Sequence, residues 1–246
     1  MTNAHIIIPA RFKSSRFPGK PLKKILGKEM IIRVAEICAK IISLKKIIIA
    51  TDSVPIMKVC QKYGYQSLIT PKNCKTGTDR VFHVAKKIKS DFYINVQGDE
   101  PLIDPLDIKK IIQKKIKYKN YVICGYCDVN YKNAISNNVP KIVINKNSDL
   151  TYISRSLIPG SKKKNIKKIK YFKQVCIYAF NYSQLKKFYE FRGKSIIENL
   201  EDIEILRFFD LKIPIKMVKV SNKSISVDIK EDMIKVVKVL KKNEKN

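Results

Sequence analysis

A loop rich in basic and small residues follows the first apolar segment of the chain. Ile6, Ile7 and Ile8 predict a buried strand, and Pro9 is expected to end it. The loop then brings together four basic side chains, a glycine and two serines: Arg11, Lys13, Ser14, Ser15, Arg16, Gly19 and Lys20. Arginine and lysine neutralise phosphate charge, and backbone N–H groups at glycine and serine can turn towards the same anion. The sequence therefore predicts a polyphosphate site directly after the first strand.

Acidic residues stand after a second predicted strand and before the last predicted helix. Asp99 and Glu100 follow the strand predicted over 91–96, and Asp228 ends a short apolar segment just before the helix predicted over 231–241. Carboxylate oxygens suit Mg²⁺, which commonly bridges protein carboxylates to substrate phosphates. Acids facing a basic phosphate loop fit metal-assisted chemistry at phosphorus. A helix cap or a turn remains the alternative role for each of these acids.

Short hydrophobic segments alternate with helix-like segments along the first half of the chain. Strands are predicted over 6–8, 46–50, 66–69 and 91–96, and helices over 30–42, 55–63, 76–88 and 107–116. This alternation predicts an α/β fold with a mostly parallel sheet and helices on both faces. Such sheets bind ligands beyond the carboxyl ends of their strands. The basic loop and the 97–101 loop are therefore expected at the same edge of the sheet.

The second half of the chain is less regular. Strands are predicted over 141–145, 175–180 and 216–220, and helices over 183–191, 197–211 and 231–241. Within the 197–211 helix, the spacing of Glu201, Glu204 and Arg207 predicts a solvated, salt-bridged polar stripe. We expect one domain over 1–246, in which 130–194 is a candidate inserted lobe for a second substrate and a dimer surface.

Size and charge limit the classes of protein to consider. The chain has 246 residues, of which 51 are basic and 21 acidic, for a formal net charge of +30. The lysines are spread along the whole chain, whereas nucleic-acid binders more often concentrate charge on one face or arm. We therefore expect weak attraction to polyanions and no specific nucleic-acid partner. No apolar segment is long enough to span a membrane and no signal peptide is recognised, so a cytoplasmic protein is expected.

Other motifs carry little signal by themselves. The six cysteines are expected to be reduced, and Cys124 and Cys127 are more simply explained as strand residues than as a zinc or redox pair. The 76–80 segment, Thr-Gly-Thr-Asp-Arg, predicts a helix start, for which a cap is a simpler role than a ligand contact. His5 and His83 stand beside no candidate nucleophile, and neither a Walker A motif nor a dinucleotide fingerprint is present.

Several segments together resemble the 3-deoxy-manno-octulosonate (Kdo) cytidylyltransferases, also called CMP-Kdo synthetases. The first is Ile-Pro-Ala-Arg-x-x-Ser-Ser-Arg-x-Pro-Gly-Lys-Pro-Leu at 8–22, and the second is Asn-Val-Gln-Gly-Asp-Glu-Pro at 95–101. Supporting matches are Ala-Thr-Asp at 50–52, the 76–80 segment, Tyr-Ile-Ser-Arg at 152–155 and Val-Asp at 227–228. The resemblance covers nearly the whole chain. It implies a three-layer, Rossmann-like fold of the nucleotide-sugar transferase type, with a smaller lobe for sugar binding and dimerisation.

The resemblance also implies a reaction and a set of roles. CMP would pass from CTP to Kdo with release of pyrophosphate, which supplies CMP-Kdo for lipopolysaccharide synthesis by a Mg²⁺-dependent homodimer. Implied catalytic residues are Arg11, Lys20, Asp99 and Asp228, the last two as Mg²⁺ ligands. Implied CTP contacts are Arg11, Ser14, Arg16, Lys20, Arg80 and Gln97, with Arg80 and Gln97 near the cytosine or ribose. Implied Kdo contacts are Tyr152, Ser154, Arg155, Gln174, Glu201 and Glu204, with Arg155 as a carboxylate partner.

This sequence departs from the family pattern at two places. Gln174 and Cys176 stand where the family often has histidine and glycine, and glutamine cannot carry charge. The turn after Asp228 is also changed, although the acid is kept. A related sugar acid, such as 8-amino-Kdo or a sialic acid, is the alternative substrate. A basic nucleic-acid-binding protein that has lost catalysis is the alternative from another class.

Overall fold

The computed structural model describes residues 3–13, 17–162 and 169–243. The strands are Ala4–Ala10 (β1), Lys24–Ile25 (β2), Lys28–Glu29 (β3), Ile47–Thr51 (β4), Gln66–Ile69 (β5), Phe92–Val96 (β6), Val122–Val129 (β7), Lys141–Ile144 (β8), Leu150–Ser154 (β9), Tyr171–Phe180 (β10) and Ile215–Lys219 (β11). The helices are Met30–Ala39 (α1), Val54–Lys62 (α2), Gly77–Ala85 (α3), Pro105–Lys117 (α4), Tyr131–Ala134 (α5), Tyr182–Glu190 (α6), Ile196–Glu201 (α7), Arg207–Asp210 (α8) and Lys230–Asn243 (α9).

Nine of these strands form one sheet, whose main path runs β11-β7-β10-β6-β1-β4-β5. β1 pairs in parallel with β4 and β6, β4 with β5, and β7 with β11. Only β10 runs against its neighbours along this path, since it is antiparallel to both β6 and β7. The hairpin β8–β9 continues the sheet from the first half of β10. The predicted mostly parallel α/β sheet is confirmed.

The sheet lies between two helical layers, each with its own hydrophobic core. Ile6 and Ile8 of β1 face α1, α2 and α4, and Ile7 faces the opposite layer with α3, α6 and α8. This alternation explains why Ile6, Ile7 and Ile8 are all apolar, because both faces of β1 are buried there. A smaller cluster around Ile25, Met30, Val227 and Val236 attaches α9 to the β2–β3 hairpin. The three-layer arrangement of the resemblance is therefore present.

Cys124 and Cys127 lie on opposite faces of β7. Cys124 packs in the core on the α3 side, and Cys127 packs in the core on the α1 side. Both thiols are free, and burial raises the pKa of each, to about 12 for Cys124. Residues three positions apart on a strand point to opposite sides, so this pair is structural. The prediction of ordinary strand residues is confirmed.

The helix predicted over 197–211 is wrong as a single element. α7 ends at Glu201 because Asp202 adopts a left-handed conformation with φ 48°, and α8 begins only at Arg207 after a turn of 3-10 helix. The prediction of a solvated stripe also fails, because Arg207 is buried and Glu204 is half-buried. The helical spacing is lost at the Asp202 turn, so these side chains do not share an exposed face.

The span 130–194 contains more than a peripheral lobe. Its first part forms α5 and the β8–β9 hairpin at the side of the sheet, and β10 runs through the centre between β6 and β7. β9 has no counterpart among the predicted strands. A division of the chain at these boundaries stays a prediction.

In the described ranges, no helix combines the length and apolar character that crossing a bilayer requires.

Candidate active site

A cavity of about 690 Å³ opens at the carboxyl ends of β1 and β6. It is lined by side chains from the loops after these strands, from the start of α3, from the segment before β8 and from the segment before α9. Its polar lining comprises Arg11, Lys20, Cys74, Lys75, Thr76, Arg80, Gln97, Asp99, Asn137, Asn138, Arg155, Asp202 and Asp228. The loops after β1 and β6 thus meet at one edge of the sheet, as the strand order predicts. Ser14 and Arg16 lie outside the described residues.

Lys20 links two of the predicted acids. Its ammonium donates to Asp99 Oδ2 at 2.6 Å and to the carbonyl of Val227 at 2.8 Å, and it lies 3.6 Å from Asp228 Oδ1. The Lys20 side chain is 14% exposed, against 26% for Asp99 and 45% for Asp228, so both carboxylates remain accessible from the cavity. Three segments far apart in the sequence therefore place one cation and two carboxylates at one point.

Gly98 lets the loop after β6 pack against the end of β1. A Cβ atom at this position would lie 2.9 Å from the carbonyl oxygen of Pro9 and 3.0 Å from Cδ1 of Ile31. Both contacts are tighter than side chains normally tolerate, and one of them is with backbone. The absence of a side chain at Gly98 thus brings Asp99 towards the basic loop that holds Lys20.

Arg80 stabilises the basic loop through its bond to Asp52. Its Nη2 donates to Asp52 at 2.8 Å and its Nη1 donates to Thr70 Oγ1 at 2.6 Å, and the guanidinium is almost fully buried. The other carboxylate oxygen of Asp52 accepts the backbone N–H of Phe12 at 3.0 Å. These bonds fix the backbone next to Arg11. A contact between Arg80 and the cytosine or ribose stays a prediction, because both terminal nitrogens already have protein partners.

The start of α3 forms the floor of the cavity. Thr76 and Asp79 form a capping box, in which Asp79 N–H donates to Thr76 Oγ1 at 3.2 Å and the Asp79 carboxylate accepts Thr76 N–H at 2.9 Å. The predicted cap is confirmed. A Cβ at Gly77 would lie 3.2 Å from Gln97 Nε2, so the small residue lets Gln97 lie against the helix start.

A second cavity, of about 260 Å³, adjoins the first. Gln97, Arg155 and Asp202 line both cavities, and the floor of the second comes from β10. Of the predicted sugar contacts, it is lined by Arg155, Gln174 and Glu204. Cys176, Tyr178 and Lys194 also line it. The two positions that depart from the family pattern, Gln174 and Cys176, therefore both face this cavity.

The polar groups of the second cavity bond mainly to the protein itself. Gln174 Nε2 donates to Tyr178 Oη at 3.2 Å, and Thr78 N–H donates to Glu204 Oε2 at 3.2 Å. Burial raises the pKa of Glu204, and the Thr78 hydrogen bond opposes that rise in part. Burial likewise raises the pKa of the Cys176 thiol well above its ordinary value, which keeps it protonated at neutral pH.

Arg155 lines both cavities, and Glu201 bonds to it from outside them. The Glu201 carboxylate accepts Ser154 Oγ–H at 2.5 Å and the backbone N–H of Arg155 at 2.8 Å. The Arg155 guanidinium donates to the carbonyls of Asn137, Glu201 and Asp202. In the described structure, Tyr152, Ser154 and Glu201 line neither cavity, and Tyr152 lies beside the ring of Phe209. The predicted contacts of these residues with the sugar stay predictions.

A buried ion pair adjoins the second cavity, which Glu198 lines. Arg207 donates to both carboxylate oxygens of Glu198, at 2.7 and 2.6 Å, and to the carbonyl of Phe188 at 3.0 Å. Asp79, which caps α3, lies 3.7 Å from the same guanidinium. This network ties the start of α3 to α7 and α8, and so fixes the position of Glu204 between them.

Glu100 is buried behind Asp99. Ser224 Oγ–H donates to its carboxylate. Burial, followed by the neighbouring charge of Asp99, raises the pKa of Glu100 to about 7. Glu100 lines neither of the two described cavities. Its carboxyl group therefore supports the loop rather than presenting a ligand oxygen to the cavity.

Sequence reasoning missed several residues that line the cavities. Asn137 and Asn138 precede β8, Lys75 precedes α3, and Lys194 and Asp202 flank α7. Each lies in a loop without a recognisable motif. Only their place beside the sheet edge brings them to the site, so no local pattern signals them.

Comparisons with known proteins identify the family. A profile of the family described as Cytidylyltransferase matches residues 5–219. A 3-deoxy-manno-octulosonate cytidylyltransferase from Escherichia coli is 35% identical, over 93% of this chain and 92% of its own. A relative with the same name from Elusimicrobium minutum is 32% identical, over 99% of this chain and 100% of its own.

Solved structures agree with the sequence relatives. The structure of a CMP:2-keto-3-deoxy-manno-octonic acid synthetase complexed with CTP superposes with a TM-score of 0.92 at 33% identity, over 98% of this chain and 100% of that one. A 4-diphosphocytidyl-2C-methyl-D-erythritol synthase from Anaerococcus prevotii shares the fold alone, with a TM-score of 0.61 at 16% identity. The chain is a nucleotidyltransferase that belongs to the cytidylyltransferase family, among its 3-deoxy-manno-octulosonate cytidylyltransferases.

Proposed function

We propose that this enzyme transfers CMP from CTP to Kdo, releases pyrophosphate, and supplies CMP-Kdo for lipopolysaccharide synthesis. The observation that carries the proposal is the meeting of Lys20, Asp99 and Asp228 at the cavity edge, next to Gln97. A cation and two accessible carboxylates at one point suit a polyphosphate and its counter-ion. The relatives supply the identity of the nucleotide and of the sugar acid.

The basic residues have the task of holding the triphosphate. Arg11 and Lys20 line the larger cavity, and Arg80 with Asp52 fixes the backbone beside Arg11. The C2 hydroxyl oxygen of the sugar would attack the α-phosphorus in line. A new P–O bond forms, the bond to the β-phosphate oxygen breaks, pyrophosphate leaves and the hydroxyl proton is released. Lys20 and Arg11 would stabilise the charge that develops on the leaving group.

The residues present fit a magnesium ion held jointly with substrate. Within 3–13, 17–162 and 169–243, no three His, Cys, Asp or Glu side chains cluster as a metal site. Mg²⁺ is commonly bound through one or two carboxylates together with substrate phosphates, so Asp99 and Asp228 are sufficient ligands. When bound, Mg²⁺ would offset the repulsion between an anionic sugar and the triphosphate. Lys20, which pairs with both acids in the structure, would then be free to donate to a phosphate oxygen.

The first experiment measures pyrophosphate release from CTP and Mg²⁺, with and without Kdo. We expect release to require both CTP and Kdo, with UTP and ATP as poor substitutes. Release with 8-amino-Kdo or a sialic acid but not with Kdo would keep the reaction class and change the substrate. No release with any sugar acid, together with salt-sensitive DNA binding, would overturn the proposal in favour of the nucleic-acid-binding alternative.

Two further expectations accompany this proposal. A homodimer is expected from the resemblance alone, and light scattering on the purified chain tests it. A cytoplasmic location is expected from the sequence, and fractionation of cells that express the chain tests it.

A further inference from the structure

Among the residues that the structure describes, three basic ones line the second cavity: Lys75, Arg155 and Lys194. A sugar acid brings a carboxylate, which needs a cation that is not already neutralised or bonded elsewhere. The acids that line the same cavity include Asp202 and Glu204, which would repel that carboxylate if nothing offset them. The three cations can therefore be compared by what each already contacts.

Arg155 is engaged with the backbone. Its Nε donates to the carbonyl of Glu201 at 2.5 Å, its Nη1 to that of Asn137 at 3.2 Å, and its Nη2 to that of Asp202 at 3.1 Å. Every nitrogen of the guanidinium is thus already bonded to a backbone carbonyl. A substrate carboxylate would have to compete with these bonds.

Lys194 is engaged with a carboxylate of the protein. Its ammonium donates to Asp202 Oδ1 at 2.9 Å. Asp202 follows α7 in a left-handed conformation, and this turn places its carboxylate beside Lys194. The charge of Lys194 is therefore offset locally before any substrate arrives.

Lys75 differs from both. Its backbone N–H donates to the Asp79 carboxylate at 2.9 Å, which fixes its main chain at the start of α3. Among the described residues, none accepts a hydrogen bond from its ammonium or forms an ion pair with it. Lys75 lines both cavities and a third hollow of about 500 Å³ beside α7. Lys75 thus combines a fixed backbone with an ammonium that no described group of the protein binds, at the place where the two cavities adjoin.

We propose that Lys75 is a specificity-determining residue that selects sugars bearing a carboxylate. This inference rests on the proposed function and concerns the sugar side of the same site. Because the ammonium has no protein partner to give up, its contact with the carboxylate is a net gain for an acidic sugar alone. Arg155, to which the resemblance assigns this contact, instead positions the wall of the cavity.

The test compares Lys75→Gln with Lys72→Gln, because both remove one charge from the same exposed loop and Lys72 lines none of these cavities. We expect Lys75→Gln to raise the KM for Kdo about tenfold, with kcat and the KM for CTP within twofold of wild type. Lys72→Gln is expected to match wild type, and Lys75→Arg to restore most of the affinity.

A neutral sugar separates charge recognition from a general loss of fit. Wild type is expected to discriminate between Kdo and its C1 carboxamide, used as a substrate or as a competing ligand, and Lys75→Gln to lose about tenfold of that discrimination. Equal losses for acid and amide, or an unchanged KM for Kdo in Lys75→Gln, would overturn the inference while the proposed function stands. A wild-type enzyme that neither binds nor turns over Kdo would overturn both.

Discussion

The two cavities differ in what their polar groups contact. In the larger cavity, which we call the nucleotide end, Lys20 pairs with Asp99 and Asp228 across long sequence separations, and both carboxylates remain accessible from the cavity. In the smaller cavity, which we call the sugar end, Arg155 and Gln174 already bond to protein groups. The nucleotide end thus presents accessible charged groups to a ligand. At the sugar end, many polar groups are already bonded to the protein.

Because of this difference, substitutions at the two ends are expected to have different effects. At the nucleotide end, a lost charge should reduce turnover and change the free energy of unfolding only slightly, because the Lys20 ion pairs are partly exposed to solvent and solvent-accessible pairs contribute little to stability. At the sugar end, a lost group leaves a buried partner without its hydrogen bond, which reduces stability as well. The predictions below test this contrast.

Asp99→Asn is expected to have the largest effect and to act on turnover alone. The amide keeps the size of the side chain but loses the charge needed for a Mg²⁺ ligand, so we expect kcat to fall about a thousandfold. The free energy of unfolding should change by less than about 1 kcal/mol. Steady-state kinetics and urea denaturation measure the two quantities.

Asp128→Asn is the matched control for that variant, because Asp128 is exposed and pairs only with Lys219 in the described structure. It should match wild type in both measurements. If Asp99→Asn keeps a rate near that of wild type, Asp99 is not a metal ligand, and the description of the nucleotide end is wrong.

Glu198→Gln tests the sugar end, where the opposite pattern is expected. Glu198 and Arg207 are fully buried and form a bidentate pair, so removal of the negative charge leaves the guanidinium with only the more distant Asp79 carboxylate, at 3.7 Å. We expect a loss of about 3 kcal/mol in the free energy of unfolding. Urea denaturation measures it, and Glu190→Gln, which breaks the exposed Lys186 pair, should cost less than about 0.5 kcal/mol. Equal effects of the two variants would remove the contrast between buried and exposed pairs.

Glu100 offers a test by pH at the boundary of the nucleotide end. Its pKa is about 7 in the folded protein against 4.5 as the ordinary value, so the folded state holds a proton that the unfolded state releases between these values. This contribution to stability is complete below about pH 4.5 and is lost as pH rises through 7. We expect Glu100→Gln to remove roughly 2 kcal/mol of that pH dependence.

The measurement is the free energy of unfolding at pH 5 and pH 8, without metal or nucleotide. The acids with lowered pKa values, such as Asp104 and Asp232, contribute stability that is already complete above their ordinary pKa of 3.8, so this contribution changes little between pH 5 and pH 8. The difference between wild type and variant therefore isolates Glu100. Parallel pH profiles for the two proteins would show that Glu100 titrates normally.

Some features of the fold and the site could be predicted from the sequence, and others could not. The loops after β1 and β6 could be placed because each follows a buried strand directly, and parallel strands bring such loops to one edge. The break at Asp202 could not be placed, because the apolar spacing continues across it and no glycine marks the left-handed turn. Lys75 could not be distinguished from the other lysines, since its role depends on which cavities its side chain reaches.

Thr76→Ala is expected to have the smallest effect of these variants. It tests whether Thr76 acts on stability or on nucleotide binding. Thr76 lines both cavities, yet its hydroxyl accepts the Asp79 N–H of the capping box. Loss of an N-cap acceptor costs about 1 kcal/mol, and Thr76→Ser should keep it. Urea denaturation of the three proteins and the KM for CTP decide between two roles. If Thr76→Ala is as stable as wild type but has a raised KM for CTP, the hydroxyl contacts the nucleotide, and Thr76 belongs to the nucleotide end. If stability falls and the KM does not change, the cap is structural, because the helix start then needs the hydroxyl before any ligand binds.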